Sequence, residues 1–131
     1  MKPTVLIVDD NAINLKLASD VLECDGFLIE RATDAEQALL LLERVTPDII
    51  LMDIALPGMD GLMLTRKLKA QARFAAVPIL ALTAFAMKGD DDKALAAGCD
   101  GYITKPIDTR NLVSQLMRFL PSIAARGTFS S

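Results

Sequence analysis

Residues 47–58 read Pro47-Asp48-Ile49-Ile50-Leu51-Met52-Asp53-Ile54-Ala55-Leu56-Pro57-Gly58. An unbroken aliphatic run stops on an acid, and a loop rich in Pro and Gly follows. Such a run, opened by Pro47 and not alternating with polar residues, reads as a strand buried on both faces, as in a parallel sheet. Three other runs are built alike. VLIV (5–8) stops at Asp9 and Asp10, ILAL (79–82) stops at Thr83, and Tyr102-Ile103-Thr104 stops at Lys105-Pro106. In an open parallel α/β sheet, ligands bind outside the carboxyl ends of the strands. Three acids, a hydroxyl and an amine are therefore expected on one edge.

Helical patterns separate the runs. The first strand is read at Thr4–Val8 and the first helix at Ala12–Cys24, with Leu15, Ala18, Val21 and Leu22 inward; Asp25-Gly26 ends it, Gly26 being suited to a left-handed stop. A short second strand is placed at 28–31. Asp34 then caps a helix, with Gln37 in capping-box position and Ala35, Ala38, Leu39 and Leu42 inward. The third strand is placed at 48–52 and a helix at 62–71, with Leu64 and Leu68 inward. Pro78 opens the strand that ends at Thr83. A helix at 88–97 carries Asp90, Asp91 and Asp92 in its first turn, where negative charge suits the dipole. Being mostly Ala thereafter, it buries little and is expected to be the least firmly held. Gly98 stops it, and the fifth strand follows at Gly101–Thr104. A last helix runs from an Asp108 cap to Leu120, with Leu112, Val113, Leu116, Met117 and Leu120 inward. Asp60-Gly61 and Asp100-Gly101 read as turns.

Five strands alternating with five helices predict an α/β fold: a doubly wound, flavodoxin-like five-stranded parallel sheet of order 2-1-3-4-5, with right-handed crossovers. Its switch point, between strands 1 and 3, holds Asp9, Asp10 and Asp53. The expected domain is one, residues 1–121, followed by a loose polar tail at 122–131.

With 52% hydrophobic and 24% charged residues, the 131-residue chain has the composition of a globular domain with a real core. No apolar run approaches the ~20 residues of a membrane helix, and the short N-terminus leaves no room for a signal peptide, so a cytoplasmic location is expected. The net charge of −3, without a Lys/Arg stripe, argues against nucleic acid as a partner. Cys24 and Cys99 show no metal or redox spacing and read as small hydrophobes in a reducing compartment. The absence of histidine excludes Ser-His-Asp triads and HExxH zinc sites. It also prevents the chain from being its own phosphohistidine donor. Any metal should be hard and oxygen-bound, Mg²⁺ or Mn²⁺.

Three carboxylates at adjacent strand ends repel. At ~5 Å and an effective dielectric of ~20, each pair costs about 3 kcal/mol. A cation offsets that, and Mg²⁺ on one or two carboxylates leaves positions for phosphate oxygens. Lys105 can neutralise phosphate charge and Thr83 can hydrogen-bond it. An ionised aspartate so placed can itself be the nucleophile, giving an aspartyl-phosphate without a general base.

The Asp9-Asp10 pair, DIALPGMDG (53–61), Thr83-Ala84 and Lys105-Pro106, in this order, resemble the bacterial two-component response-regulator receiver domain over residues 4–120. TAFAMKGD (83–90) and YITKPI (102–107) resemble single-domain regulators of the DivK type and the receivers of hybrid sensor kinases. The resemblance implies that Asp53 is the phosphoacceptor. Asp10, Asp53 and the backbone carbonyl of Ala55 would bind Mg²⁺, with Asp9 acting through water. It implies that Thr83 and Lys105 contact the phosphoryl group, that Thr83 and Tyr102 form a switch pair in which the ring turns inward on phosphorylation, and that the Lys105–Pro106 bond is cis. Ala55 and Phe85 imply hindered water access and a long-lived phosphoryl group.

The expected function is a single-domain response regulator. It takes its phosphoryl group from a histidine kinase or histidine phosphotransfer protein and signals to a downstream protein through the face of helix 4, strand 5 and helix 5. It is not an enzyme beyond its own phosphorylation and dephosphorylation. A phosphorelay intermediate passing the group onward is the alternative within that class. An Mg²⁺-dependent aspartyl-phosphate hydrolase lacks its acid, because Ala55 stands where one is needed. A phosphorylation-independent scaffold is disfavoured by the complete acid set.

Overall fold

The structure, a computed structural model, describes residues 3–56, 60–83, 90–105 and 107–120, with backbone alone at 90–93. The strands are β1 (Thr4–Val8), β2 (Leu28–Ala32), β3 (Ile49–Asp53), β4 (Ile79–Thr83) and β5 (Gly101–Thr104). The helices are α1 (Ala12–Cys24), α2 (Ala35–Leu42), α3 (Gly61–Lys69), α4 (Asp90–Ala97) and α5 (Leu112–Met117). All pairings are parallel and the order is β2-β1-β3-β4-β5, as expected.

The three central strands are buried on both faces, which explains their unbroken apolar runs. Leu6, Val8, Ile50, Met52, Ile79 and Ala81 face α2, α3 and α4. Val5, Ile7, Ile49, Leu51, Leu80 and Leu82 face α1 and α5. Burying each large aliphatic side chain contributes about 1.5–3 kcal/mol against leaving it exposed. The inward residues of α1 and α2 fall where their 3.6-residue pattern put them, except that Val21 and Leu39 are only half-buried. Gly26 stops α1 at φ 95° and Gly98 ends α4 at φ 106°. Of the described side chains of α4, only Ala94 and Ala97 are buried, while Leu95 is 56% exposed. The expected weak seat of that helix is thus matched by its burial. Among the described residues, no helix is long and apolar enough to cross a membrane.

Several boundaries differ from expectation. Ala32 continues β2 and Asp53 is the last residue of β3, because each still sits in the parallel ladder. Asp34 caps α2 through Gln37 N–H at 2.8 Å, but the Gln37 side chain returns to Thr33 N–H at 2.9 Å, one residue before the expected capping-box partner. Asp60 is the N-cap of α3, its carboxylate accepting Met63 N–H at 2.8 Å, so Gly61 is helical and not a turn residue. Asp100-Gly101 is not a turn either. Asp100 Oδ2 accepts Ile79 N–H at 2.8 Å and the Lys69 ammonium at 3.0 Å, joining the starts of β4 and β5 to the end of α3.

The last helix starts later than expected. The Asp108 carboxylate accepts Arg110 N–H at 3.0 Å and the Asn111 side-chain amide at 2.7 Å, so it organises a turn. Asn111 takes the cap position of α5 without a side-chain cap bond. The helix tightens beyond Met117, where Phe119 and Leu120 donate to carbonyls three residues back. Val113 and Met117 are half-buried. The tail at 122–131, Phe85, and Pro106 with its peptide bond lie outside the described residues.

Candidate functional site

Register brings the strand ends together. Val8 pairs with Met52, so Asp9 and Asp53 leave the sheet side by side. Asp53 pairs with Leu82 and Thr83 with Thr104, placing the hydroxyl and Lys105 on the same edge. Each ladder runs one bond further: Asp9 N–H donates to Ala32 O at 3.0 Å, Ile54 N–H to Leu82 O at 3.3 Å and Lys105 N–H to Thr83 O at 2.7 Å. The reactive side chains are therefore carried on backbone tied into the sheet, the rigid support such a site needs.

Asp9, Asp53 and Thr83 are buried, Lys105 is half-buried and Asp10 is exposed. Lys105 Nζ lies 3.0 Å from Asp53 Oδ2 and 3.2 Å from Asp9 Oδ2. Asp53 Oδ1 accepts Ala55 N–H at 2.9 Å, so both acceptor oxygens are held. Asp9 Oδ1 accepts Asn11 N–H at 2.9 Å. Its Oδ2 ion-pairs with Lys105 at an angle that makes no hydrogen bond, leaving that buried oxygen without a directed donor among the described residues. Asn11, not singled out in the sequence, does double work here. Its backbone orients Asp9, and its side-chain oxygen accepts Ile13 and Asn14 N–H as the N-cap of α1.

Burial pushes the Asp9 carboxyl up from its usual 3.8, and the neighbouring Asp53 charge adds to this against the pull of Asn11 and Lys105. Burial alone would lower the Lys105 ammonium, but the hydrogen bond and charge of Asp53, joined by Asp9, hold it above its usual 10.5. The pocket thus favours an added positive charge near Asp9.

One ligand oxygen from each of Asp9, Asp10 and Asp53 can be chosen so that all lie within 4.8 Å of one another. The donors are oxygen only, and one is buried without a directed partner. That set fits a hard divalent cation such as Mg²⁺, which takes oxygen ligands and few carboxylates. Tyr102 lies on β5, next in the sheet to the strand that ends at Thr83, and is 43% exposed.

The sequence matches the response regulator receiver domain over residues 5–117. It is 40% identical over 120 residues to the polar-differentiation response regulator DivK of Brucella anthropi, covering 92% of this chain and 98% of that one. Among solved structures, it is similar to the chemotaxis response regulator CheY4 of Vibrio cholerae (28% identity, TM-score 0.87, covering 92% of this chain and 100% of that one). It is also similar to the receiver domain of the sensor histidine kinase PA1611 of Pseudomonas aeruginosa, which has a magnesium ion coordinated in its active-site cleft (36% identity, TM-score 0.84, covering 92% and 99%). With a buried strand-end aspartate held by a lysine, an acid cluster beside it and this sequence match over most of its length, the chain belongs to the response regulator receiver domain family.

Proposed function

We propose that this protein acts as a single-domain response regulator, with residues 1–121 as the receiver and 122–131 a tail outside it, accepting a phosphoryl group on Asp53 from a partner's phosphohistidine. The carrying observation is the buried Asp53, a residue only 3% exposed, whose carboxylate has one oxygen on Ala55 N–H and the other on the Lys105 ammonium. An ionised carboxylate so fixed is a nucleophile that needs no base. An Asp53 oxygen attacks phosphorus while the P–N bond to the donor imidazole breaks. The imidazole nitrogen leaves with the bonding pair and takes up a proton. Lys105 offsets phosphoryl charge, and the Thr83 hydroxyl donates to a phosphoryl oxygen. Asp10, Asp53 and the Ala55 carbonyl would hold Mg²⁺, with Asp9 behind them through water; the bound ion supplies charge stabilisation to the transferring group.

Ala55 also bears on the competing hydrolase reading. It presents only a methyl group beside the acceptor, with no acid to protonate a leaving group or orient a water. The same feature supports a long-lived phosphoryl group. The exposed Leu95 on α4 and Tyr102 on β5 support output through a downstream protein on the α4–β5–α5 face.

The test is incubation of wild type and Asp53→Asn with acetyl phosphate, with and without Mg²⁺, followed by intact mass. A metal-dependent phosphoryl adduct on wild type alone is expected. An adduct that persists in Asp53→Asn rejects the assignment.

A further inference from the structure

A β-carbon added to Gly61 would lie 2.1 Å from the carbonyl oxygen of Asp53, 2.8 Å from its carbonyl carbon and 2.8 Å from Ile54 Cα. All three are backbone atoms, so no change of rotamer relieves the contact. The first turn of α3 is tied to the chain just past this peptide by one hydrogen bond and closed on itself by another. Gly61 N–H donates to Ile54 O at 3.3 Å, and the Gly61 carbonyl accepts the hydroxyl of the buried Thr65 at 2.8 Å. Behind it, Leu64 and Leu68 are fully buried under the sheet, which limits how far α3 can withdraw.

The peptide under Gly61 joins Asp53 to Ile54, and it carries the groups on which phosphoryl transfer depends. Asp53 precedes it with its carboxylate on Lys105, and the Ala55 N–H that holds Asp53 Oδ1 follows it. We propose that Gly61 is a positioning residue for phosphoryl transfer: lacking a side chain, it lets the backbone of α3 seat on the Asp53–Ile54 peptide and so sets where the Asp53 carboxylate and the Ala55 backbone stand relative to Lys105 and Asp9. The inference rests on Asp53 being the acceptor. Relaxing a 2.1 Å approach to ordinary contact at 3.4 Å moves the turn or the peptide by about 1.3 Å. Misplacement on that scale at a reacting group lowers rates by up to about a hundredfold.

The test compares wild type, Gly61→Ala, Asp60→Ala, Leu68→Val and Asp53→Asn. Adduct formation from acetyl phosphate and Mg²⁺ is followed by intact mass, Mg²⁺ affinity by calorimetry, stability by thermal melting and backbone position by amide NMR. Gly61→Ala should fold, form the adduct about ten- to a hundredfold more slowly and bind Mg²⁺ more weakly. Its amide shifts should centre on residues 53–55 and 105. Leu68→Val weakens the same helix farther along without touching the peptide, and should lose stability while keeping the wild-type rate. Asp60→Ala frees the first turn of α3 without adding an atom, and should react more slowly with its circular dichroism intact.

A wild-type rate in Gly61→Ala overturns the proposal, as does an equal slowing by Leu68→Val at equal loss of stability. Should Gly61→Ala not fold, Asp60→Ala decides: a wild-type rate in it overturns the proposal. No adduct on wild type, or an adduct on Asp53→Asn, instead refutes the acceptor assignment itself.

Discussion

The Lys105 ammonium, one residue past β5, sits 3.0 Å from Asp53 Oδ2 at the end of β3, spanning the intervening β4. The Lys105 side chain is 16% exposed and that of Asp53 5%, so water screens the pair poorly. Removing one partner of a pair this buried leaves the other charge uncompensated, which costs several kcal/mol. Lys105→Met should therefore destabilise the metal-free protein by about 3 kcal/mol, the low end of the ~3–5 kcal/mol for a buried pair, because Lys105 keeps some solvent. Adding Asp53→Asn should recover part of the loss, since the orphaned charge is then gone. Urea unfolding in EDTA of the two single variants and the double variant measures the coupling. Strict additivity would show that the pair does not interact.

Asp9 carries the strain that the sequence assigned to the acid cluster as a whole. Asp53 has a donor for each oxygen, whereas among the described residues Asp9 Oδ2 has only a misdirected ion pair. The folded-state pKa of Asp9 is raised above 3.8, so the folded protein binds this proton more tightly than the unfolded chain. Its contribution to stability is therefore full below 3.8 and is lost as pH rises through the raised value. Lys105 follows the same sign pattern at higher pH. Its raised pKa gives a stability that is full below 10.5 and is lost as pH rises through the raised value. Melting temperatures of metal-free wild type and Asp9→Asn, measured from pH 4 to 8, should show wild type losing ground as pH rises. A difference that does not vary with pH would remove the strain from Asp9.

The strands and their order were legible because burial on both faces writes an unbroken apolar run, and because short right-handed connections leave few orders open. The gathering of the candidate residues on one edge was legible for the same reason: a strand end fixes where the next residue goes. Asp9, Asp53, Thr83 and Lys105 needed only that rule. Gly61 and Asp100 were hidden because their roles depend on partners brought by tertiary packing. Nothing near Gly61 in sequence announces that the Asp53 carbonyl will lie against its Cα. Asp108 was misread as the cap of α5 because a capping residue and a turn-forming aspartate look alike until Asn111 spends its amide on Asp108.

Asp100 makes the missed connection testable. Its Oδ2 accepts both Ile79 N–H and Lys69, and the same ammonium donates to Val77 O at 2.7 Å. Asp100→Ala leaves the backbone donor at the start of β4 without this acceptor, which should cost about 1–3 kcal/mol. Because the clamp sits at the opposite edge from the acids, adduct formation by the folded variant should be unchanged. Denaturant unfolding together with the intact-mass assay separates the two effects. A slowed reaction in folded Asp100→Ala would show that the clamp reaches the acceptor edge.

The two cysteines should differ in reactivity. Cys24 is exposed, while Cys99 is buried and its thiol is pushed up, by burial first and then by the Asp100 charge. The thiolate is the reactive form. A colorimetric thiol reagent at neutral pH should titrate one cysteine quickly in native protein and both in denaturant. Cys24→Ser should abolish the fast phase, and its survival would place Cys99 in solvent.

Tyr102 is the only tyrosine in a chain without tryptophan, so its emission reports on β5 alone. The residue is 43% exposed in this structure. If Thr83 moves toward a phosphoryl group on Asp53 and the ring turns into the space vacated, acrylamide quenching of Tyr102 should fall on addition of acetyl phosphate and Mg²⁺. Such an event would be a local charge change read by a packing element with two positions. Thr83→Ala should still accept the phosphoryl group, more slowly, while the quenching change is lost, because the hydroxyl that couples the two is gone. Asp53→Asn should show neither adduct nor change. A phosphorylated wild type with unaltered quenching would mean that Tyr102 does not report the acceptor's state.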